Sequence, residues 1–264
     1  GTRQQDAIEH NSARDTQVFV QKQEDYDADI PASSLKLYEI EGCGESRRVR
    51  EVICMLDLVC TMCPCPYGST RHRTAAALSQ SSSQTPVEEQ PSSGDALLPY
   101  LEDTRTGAKI SGADTIISYL YFEYLDGATP SPLVAAGFFA KSLAQFAVDA
   151  RGRQQYDSTT RSSALSRNSP GTFYVRPSLV PRQPLHLWAY EASPFCSLVR
   201  EVLSELEIQY VLLPCSRGSP RRKRLMRRTG GTFQVPYLED PNTGAAMFES
   251  ACIVEYLYSE YVAQ

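Results

Sequence analysis

Apolar residues follow two periodicities along this chain, and each is met twice. Short apolar segments at Leu35–Ile40 and Leu185–Tyr190 predict strands, each followed by a turn. Val49, Val52, Ile53 and Leu56 then stand at i, i+3, i+4 and i+7, the spacing of one buried helical stripe. Val199, Val202, Leu203 and Leu206 repeat it. Beyond each stripe a second strand runs into Pro64-Cys65 or Pro214-Cys215, and a basic stretch follows that predicts a poorly regular helix. A strand opened by proline (Leu98-Pro99, Val235-Pro236), a turn containing Thr-Gly, a further strand and a last helix complete each half. The order is βαβ followed by ββα, an α/β unit with a crossover helix, a hairpin and a packing helix.

The two halves are copies. An offset of 150 lays Leu35 and Leu37 on Leu185 and Leu187, Glu41 on Glu191, Val49–Val52 on Val199–Val202, and Gly68-Ser69 on Gly218-Ser219. Further on the offset is 137, laying Pro99–Asp103 on Pro236–Asp240, Thr106–Ala108 on Thr243–Ala245, and Tyr119 and Tyr121 on Tyr256 and Tyr258. The offsets of 150 and 137 differ by 13, an insertion in copy one that falls in the Ser/Gln-rich tract at about 79–93, a solvated loop by composition. The expected organisation is a polar arm at 1–34, copy one at 35–125, a linker at 126–184 with an apolar helix at about 133–150, and copy two at 185–264.

Candidate chemistry lies at the first helix of each copy, which opens with Cys43-Gly-Glu-Ser46 in one and Ser193-Pro-Phe-Cys196 in the other. A thiol there faces unpaired N–H groups and the positive end of the helix dipole, which favours the thiolate. In copy one Glu45 puts a negative charge beside Cys43, an opposing influence.

With proline opening the third strand, the order resembles the thioredoxin fold, and most closely glutaredoxins and the N-terminal domain of glutathione S-transferases. Ser193–Cys196, Val235-Pro236 and Glu249-Ser250 carry the likeness in copy two. The sequence also resembles a plastid family of tandem thioredoxin-fold proteins, through PCxxGSPR and VPYLEDPNTG. The resemblance implies two tandem thioredoxin-like units and a glutathione site. In it Ser193, Cys196 and Cys43 are catalytic candidates, Val235 and Pro236 meet the cysteinyl group of glutathione, and Glu249 and Ser250 receive its γ-glutamyl end at a helix N-terminus. Copy one has Gly112 and Ala113 at the last two positions and lacks that anchor. As the sequence stands, no all-helical co-substrate domain follows copy two, so conjugation is not expected. The plastid likeness implies a stroma-facing subunit of a photosynthetic membrane complex, in the chloroplast after loss of a targeting peptide, with decayed redox sites. A glutathione-dependent oxidoreductase or transferase working from copy two is the alternative.

Composition narrows the classes further. A net charge of −5 argues against a nucleic-acid coat. No apolar run reaches the eighteen residues of a spanning helix, and the N-terminal arm has neither signal-peptide nor transit-peptide character. Eight cysteines in 264 residues suit a reducing compartment, plastid stroma or alternatively cytoplasm, better than a disulfide framework. Cys60, Cys63 and Cys65, with His72 following, invite a zinc reading. They align with Tyr210–Pro214 and Cys215, however, so buried strand residues are expected and no metal. Arg221–Arg228 concentrates six positive charges in eight residues, either a solvated helix face or a dock for an acidic protein or anionic lipid. Leu133–Val148 carries one charge, and as a helix would span about 24 Å, too short to cross a bilayer but able to pack on the chain's own domains, lie on a membrane or insert into a partner. A larger protein assembly is the expected partner.

Overall fold

The computed structural model of the chain describes residues 19–20, 30–66, 68–81, 97–132, 134 and 175–263. A two-residue strand, β1 (Phe19–Val20), precedes copy one. Copy one then runs β2 (Leu35–Glu39), α1 (Gly44–Met55), β3 (Cys60–Pro64), α2 (His72–Ser81), β4 (Tyr100–Asp103), β5 (Ala108–Ser111) and α3 (Ala113–Tyr124). Copy two repeats the order as β6 (Leu185–Ala189), α4 (Pro194–Glu205), β7 (Tyr210–Pro214), α5 (Arg221–Arg228), β8 (Tyr237–Asp240), β9 (Ala245–Phe248) and α6 (Ser250–Tyr261). The apolar linker helix expected at 133–150 falls almost wholly outside the described residues, as does most of the Ser-rich tract. Its first three residues belong to α2, because Ser79 bonds the Tyr100 hydroxyl at 2.9 Å and the Gln80 amide makes two 2.9 Å bonds to the Leu97 backbone. The basic stretch Arg221–Arg228 is a regular two-turn α-helix, seated by Leu225, which is fully buried. No helix among the described residues is long and apolar enough to cross a membrane.

Each repeat builds a four-stranded mixed sheet. The parallel pairs β2–β3 and β6–β7 arise through the crossover helices α1 and α4, and the hairpins β4–β5 and β8–β9 add antiparallel strands. The stripe of copy two, Val199, Val202, Leu203 and Leu206, is fully buried, and in copy one Val49, Val52 and Ile53 are buried while Leu56 is only partly so. Both peptide bonds before the third strand, Leu98-Pro99 and Val235-Pro236, are cis.

The two sheets are one. Strand β3 pairs antiparallel with β7, giving the order β1-β9-β8-β6-β7-β3-β2-β4-β5. The register is Cys60 to Leu212, Thr61 to Val211 and Met62 to Tyr210, so Thr61 meets its own counterpart and its neighbours exchange partners. That is the reciprocity of an isologous contact, with a local two-fold axis between the copies. Left alone, the β3 and β7 edges would expose unpaired N–H and C=O groups, and joining them removes both edges.

A buried charge cluster sits on this axis. Arg50 binds Glu191 bidentately, at 3.0 and 3.1 Å, reaches Glu39, and donates to the Glu41 carbonyl. Its counterpart Arg200 binds Glu41 at 3.1 and 3.2 Å and Glu191 at 3.3 Å. All five side chains are buried, and Arg47 approaches Glu191 from the rim at 3.8 Å. The exchange repeats further out. Asp57 and Glu207 end α1 and α4 in the left-handed region, at φ 53 and 49, where glycine is the usual residue. Both acids are engaged across the axis. Arg221 binds Asp57 at 2.5 Å, while Glu207 accepts from Ser69 and from the Arg71 and His72 backbone N–H groups opening α2.

Candidate functional site

Helix α4 begins where three sequence choices agree. Ser193 is extended (φ −78, ψ 121) and caps the helix, its Oγ accepting from the Cys196 N–H at 3.3 Å, and Pro194 occupies the first turn. The stripe from Val199 onward then carries the helix into the core. Ser193 is 4% exposed and Cys196 fully buried, whereas Phe195 between them is 60% exposed. Burial pushes the Cys196 thiol above its ordinary pKa, outweighing the hydrogen bonds and Arg200 that act the other way. It stays a thiol at neutral pH.

The other candidates of copy two gather at the same end of the sheet. Val235 and Cys196 pack in one apolar cluster with Met247 and Ile253. The Gln234 amide donates to the Glu249 carboxylate, tying the loop before Pro236 to the start of α6. Glu249 is exposed at φ 67 and Ser250, the first residue of α6, is buried. The side chains that the sequence singles out thus surround two helix N-termini and a cis-proline loop. This geometry can present backbone to a peptide-like ligand and a helix end to a carboxylate.

Copy one fills the equivalent space with its own charges. Cys43 precedes α1 in extended conformation, half-buried, with no side-chain cap. Ser46 takes the place of Cys196, buried, its Oγ accepting from the Ile40 N–H. Glu45 does not stand as an isolated charge beside Cys43, because Arg48 holds it at 2.6 Å. Arg48 also binds Asp114 in the first turn of α3 at 2.6 Å. The carboxylate at the α3 N-terminus is therefore supplied by the chain itself, while Gly112, where copy two has Glu249, keeps a similar backbone at φ 85.

Cys54, Cys60, Cys63, Cys65 and Cys215 are core residues, and Cys252 is partly exposed on α6. Cys60 faces the cluster under α1 and α4, and Cys63 and Cys65 face the opposite one with Tyr38, Ala76 and Tyr100, as alternation along β3 demands. Burial pushes the thiols of Cys54 and Cys63 up to about 12. The His72 Nδ1 meets the Pro64 carbonyl at 2.8 Å. Among the described residues no three metal-binding side chains converge.

Two constellations escaped the sequence reading. The axial charge cluster was visible only as Arg and Glu repeating at the 150-residue offset. The tyrosines of the last helix of each repeat have a polar function. Tyr119 and Tyr124 donate to Asp103 at 2.8 and 2.7 Å, and Tyr256 and Tyr261 donate to Asp240 at 2.7 and 2.5 Å, locking each Asp-x-x-Thr-Gly turn to the last helix.

These features define a pair of thioredoxin-like units fused through one sheet. A family model described as the glutathione S-transferase N-terminal domain matches residues 37–126 and again 187–264, and the chain belongs to that family. Among solved structures it is similar to "Leishmania TDR1 - a unique trimeric glutathione transferase", at 14% identity and a TM-score of 0.27, over 86% of this chain and 67% of that one. A search of curated proteins returned no match.

Proposed function

We propose that the chain is an interaction subunit: a double glutathione-transferase-type body whose nucleophile positions have become structural. One observation carries this reading. At the helix start of copy two the hydroxyl oxygen of Ser193 caps α4 and the Cys196 thiol is buried and protonated, while in copy one Arg48 of α1 is paired with Asp114 in the first turn of α3. The finer assignment, a stroma-facing subunit of a photosynthetic membrane complex in the chloroplast, rests on the plastid resemblance and is part of the proposal.

A second reading has its own support. Glu249 holds a left-handed backbone that costs a non-glycine residue about 1 kcal/mol or more, at the position where copy one has glycine. With cis Pro236 and Ser250 beside it, copy two retains the outline of a glutathione site.

The test is glutathione affinity and thiol-transfer turnover of the whole chain beside Ser193→Ala and Cys196→Ala. No turnover in any of the three is expected. Turnover that either substitution abolishes would overturn the subunit reading in favour of the enzyme.

A further inference from the structure

Helix α5 divides its cations between two tasks. Arg221 turns inward to Asp57 across the two-fold axis, Arg222 lies over the Phe233 ring at 3.8 Å, and Arg228 binds Glu239. Lys223 and Arg227 face outward with Met226, which is 39% exposed. These three residues, with Pro220 and the Gly230-Gly231 turn, line an open depression of about 790 Å³. No acid lines it, although the chain as a whole carries a net charge of −5. Gly230 and Gly231 stand at φ 70 and 107, and a side chain added to either would meet open space, so they leave one wall of the depression bare backbone. A methionine between two cations, with a glycine wall, suits a strand of acidic peptide in which apolar side chains are spaced among carboxylates. A lipid surface fits less well, since it wants a flat basic face and here half of the helix's charge is turned inward.

We propose that this depression docks an acidic, apolar-spaced peptide segment of a partner protein, the contact through which a subunit of the kind proposed above joins its assembly. Lys223 and Arg227 flank the peptide carboxylates and Met226 receives the apolar side chain.

The probe is a fluorescein-labelled peptide, EEDLEEF, titrated by anisotropy against the full chain at low and physiological salt. Lys223→Glu with Arg227→Glu is the test variant. Lys109→Glu with Arg182→Glu, two other exposed cations, makes the same change in net charge elsewhere. Binding that weakens by about tenfold or more in the first double variant, and not in the second, is expected. Equal binding by both double variants overturns the site. No binding by the unmodified chain overturns the proposal, as does co-sedimentation with phosphatidylglycerol-containing vesicles in place of peptide binding. The arm at 24–29 is itself acidic, so the chain carrying Glu24→Gln, Asp25→Asn, Asp27→Asn and Asp29→Asn is titrated too. Binding seen only in that chain assigns the depression to the arm and overturns the partner. The turnover assay reads the parent proposal separately: turnover sinks the subunit reading whatever the peptide does, and a peptide failure without turnover leaves it standing.

Discussion

The mouths of the two repeats start from the same backbone and are furnished in opposite ways. Copy two has serine then cysteine at the start of its first helix, and copy one has cysteine then serine. Copy two places an exposed Glu249 before its last helix, whereas copy one places Gly112 there and carries Asp114, paired with Arg48, in the first turn of that helix. In both, the second position of the motif is buried and only the first differs in how it serves the helix: Ser193 caps it, Cys43 does not. Where the copies agree in chemistry is elsewhere, in the arginines and glutamates on the two-fold axis and in the aspartate held by two tyrosines. Similarity between the repeats thus tracks the joint that makes them one body, and divergence tracks the mouths.

The largest effects should come from the joint. Arg50→Ala strands Glu39 in a buried site and leaves Glu191 with Arg200 and the rim Arg47 alone, and should lower unfolding free energy by about 3–5 kcal/mol in urea titration. Arg200→Ala should cost less, because Arg50 still holds Glu191 and only Glu41 loses its main partner. Equal losses would mean that Glu39, which has no acidic counterpart at Ala189, is immaterial to the cluster.

Next come the tyrosine-held turns. Asp240→Ala should cost about 1–3 kcal/mol and Asp103→Ala somewhat less, since Tyr261 is buried whereas Tyr124 is partly exposed. Burial acts to raise the Asp103 pKa, but the Tyr124 and Tyr119 hydroxyls and the Arg105 N–H hold it below the usual value. Its folded value being depressed, its contribution is present above the ordinary carboxylate range and lost as pH falls through and below it. In Asp103→Ala the acid limb of a melting-temperature profile should flatten.

Glu39 titrates in the opposite sense. Burial, aided by Glu41 and Glu191 and opposed by Arg50, raises its carboxyl to about 7. A raised folded value means that the stabilisation is complete below the ordinary pKa near 4.5 and is lost as pH rises through about 7. Glu39→Gln should therefore match the parent chain at pH near 5 and exceed it in melting temperature at pH near 8. A difference independent of pH would rule out Glu39 as the titrating group.

The smallest contrast lies at the mouths. Ser193→Ala removes a helix cap and should cost about 1 kcal/mol, while Cys43→Ala removes no cap and should stay within about 0.5 kcal/mol. Comparable losses would show that Cys43 supports α1 in a way its backbone geometry does not suggest.

Much of the fold was legible in the chain. The stripe from Val49, the strand alternation, the proline before β4 and β8 and the duplicated order all express local rules, because a helix or a turn is chosen by residues a few positions apart. The outline of the candidate site was legible too: Ser193 and Pro236 are residue types that a helix N-cap and a tight loop favour, whereas Glu249 and Ser250 were marked by the resemblance alone. Their burial was not legible: whether a serine caps or faces solvent depends on what packs above it. The fate of Glu45 was hidden for the same reason, its partner Arg48 being shared with Asp114, 66 positions away.

What no local pattern could decide was that two repeats make one sheet. Strand pairing uses backbone groups that every residue carries, so the β3 edge has no side-chain signature naming β7. The charge cluster needs Arg50 and Glu191, 141 positions apart, to be desolvated together. The chain's chemistry specified the repeat unit. Its tertiary structure specified the fusion, because only there do two edges and two half-clusters of charge, each costly when buried alone, satisfy one another.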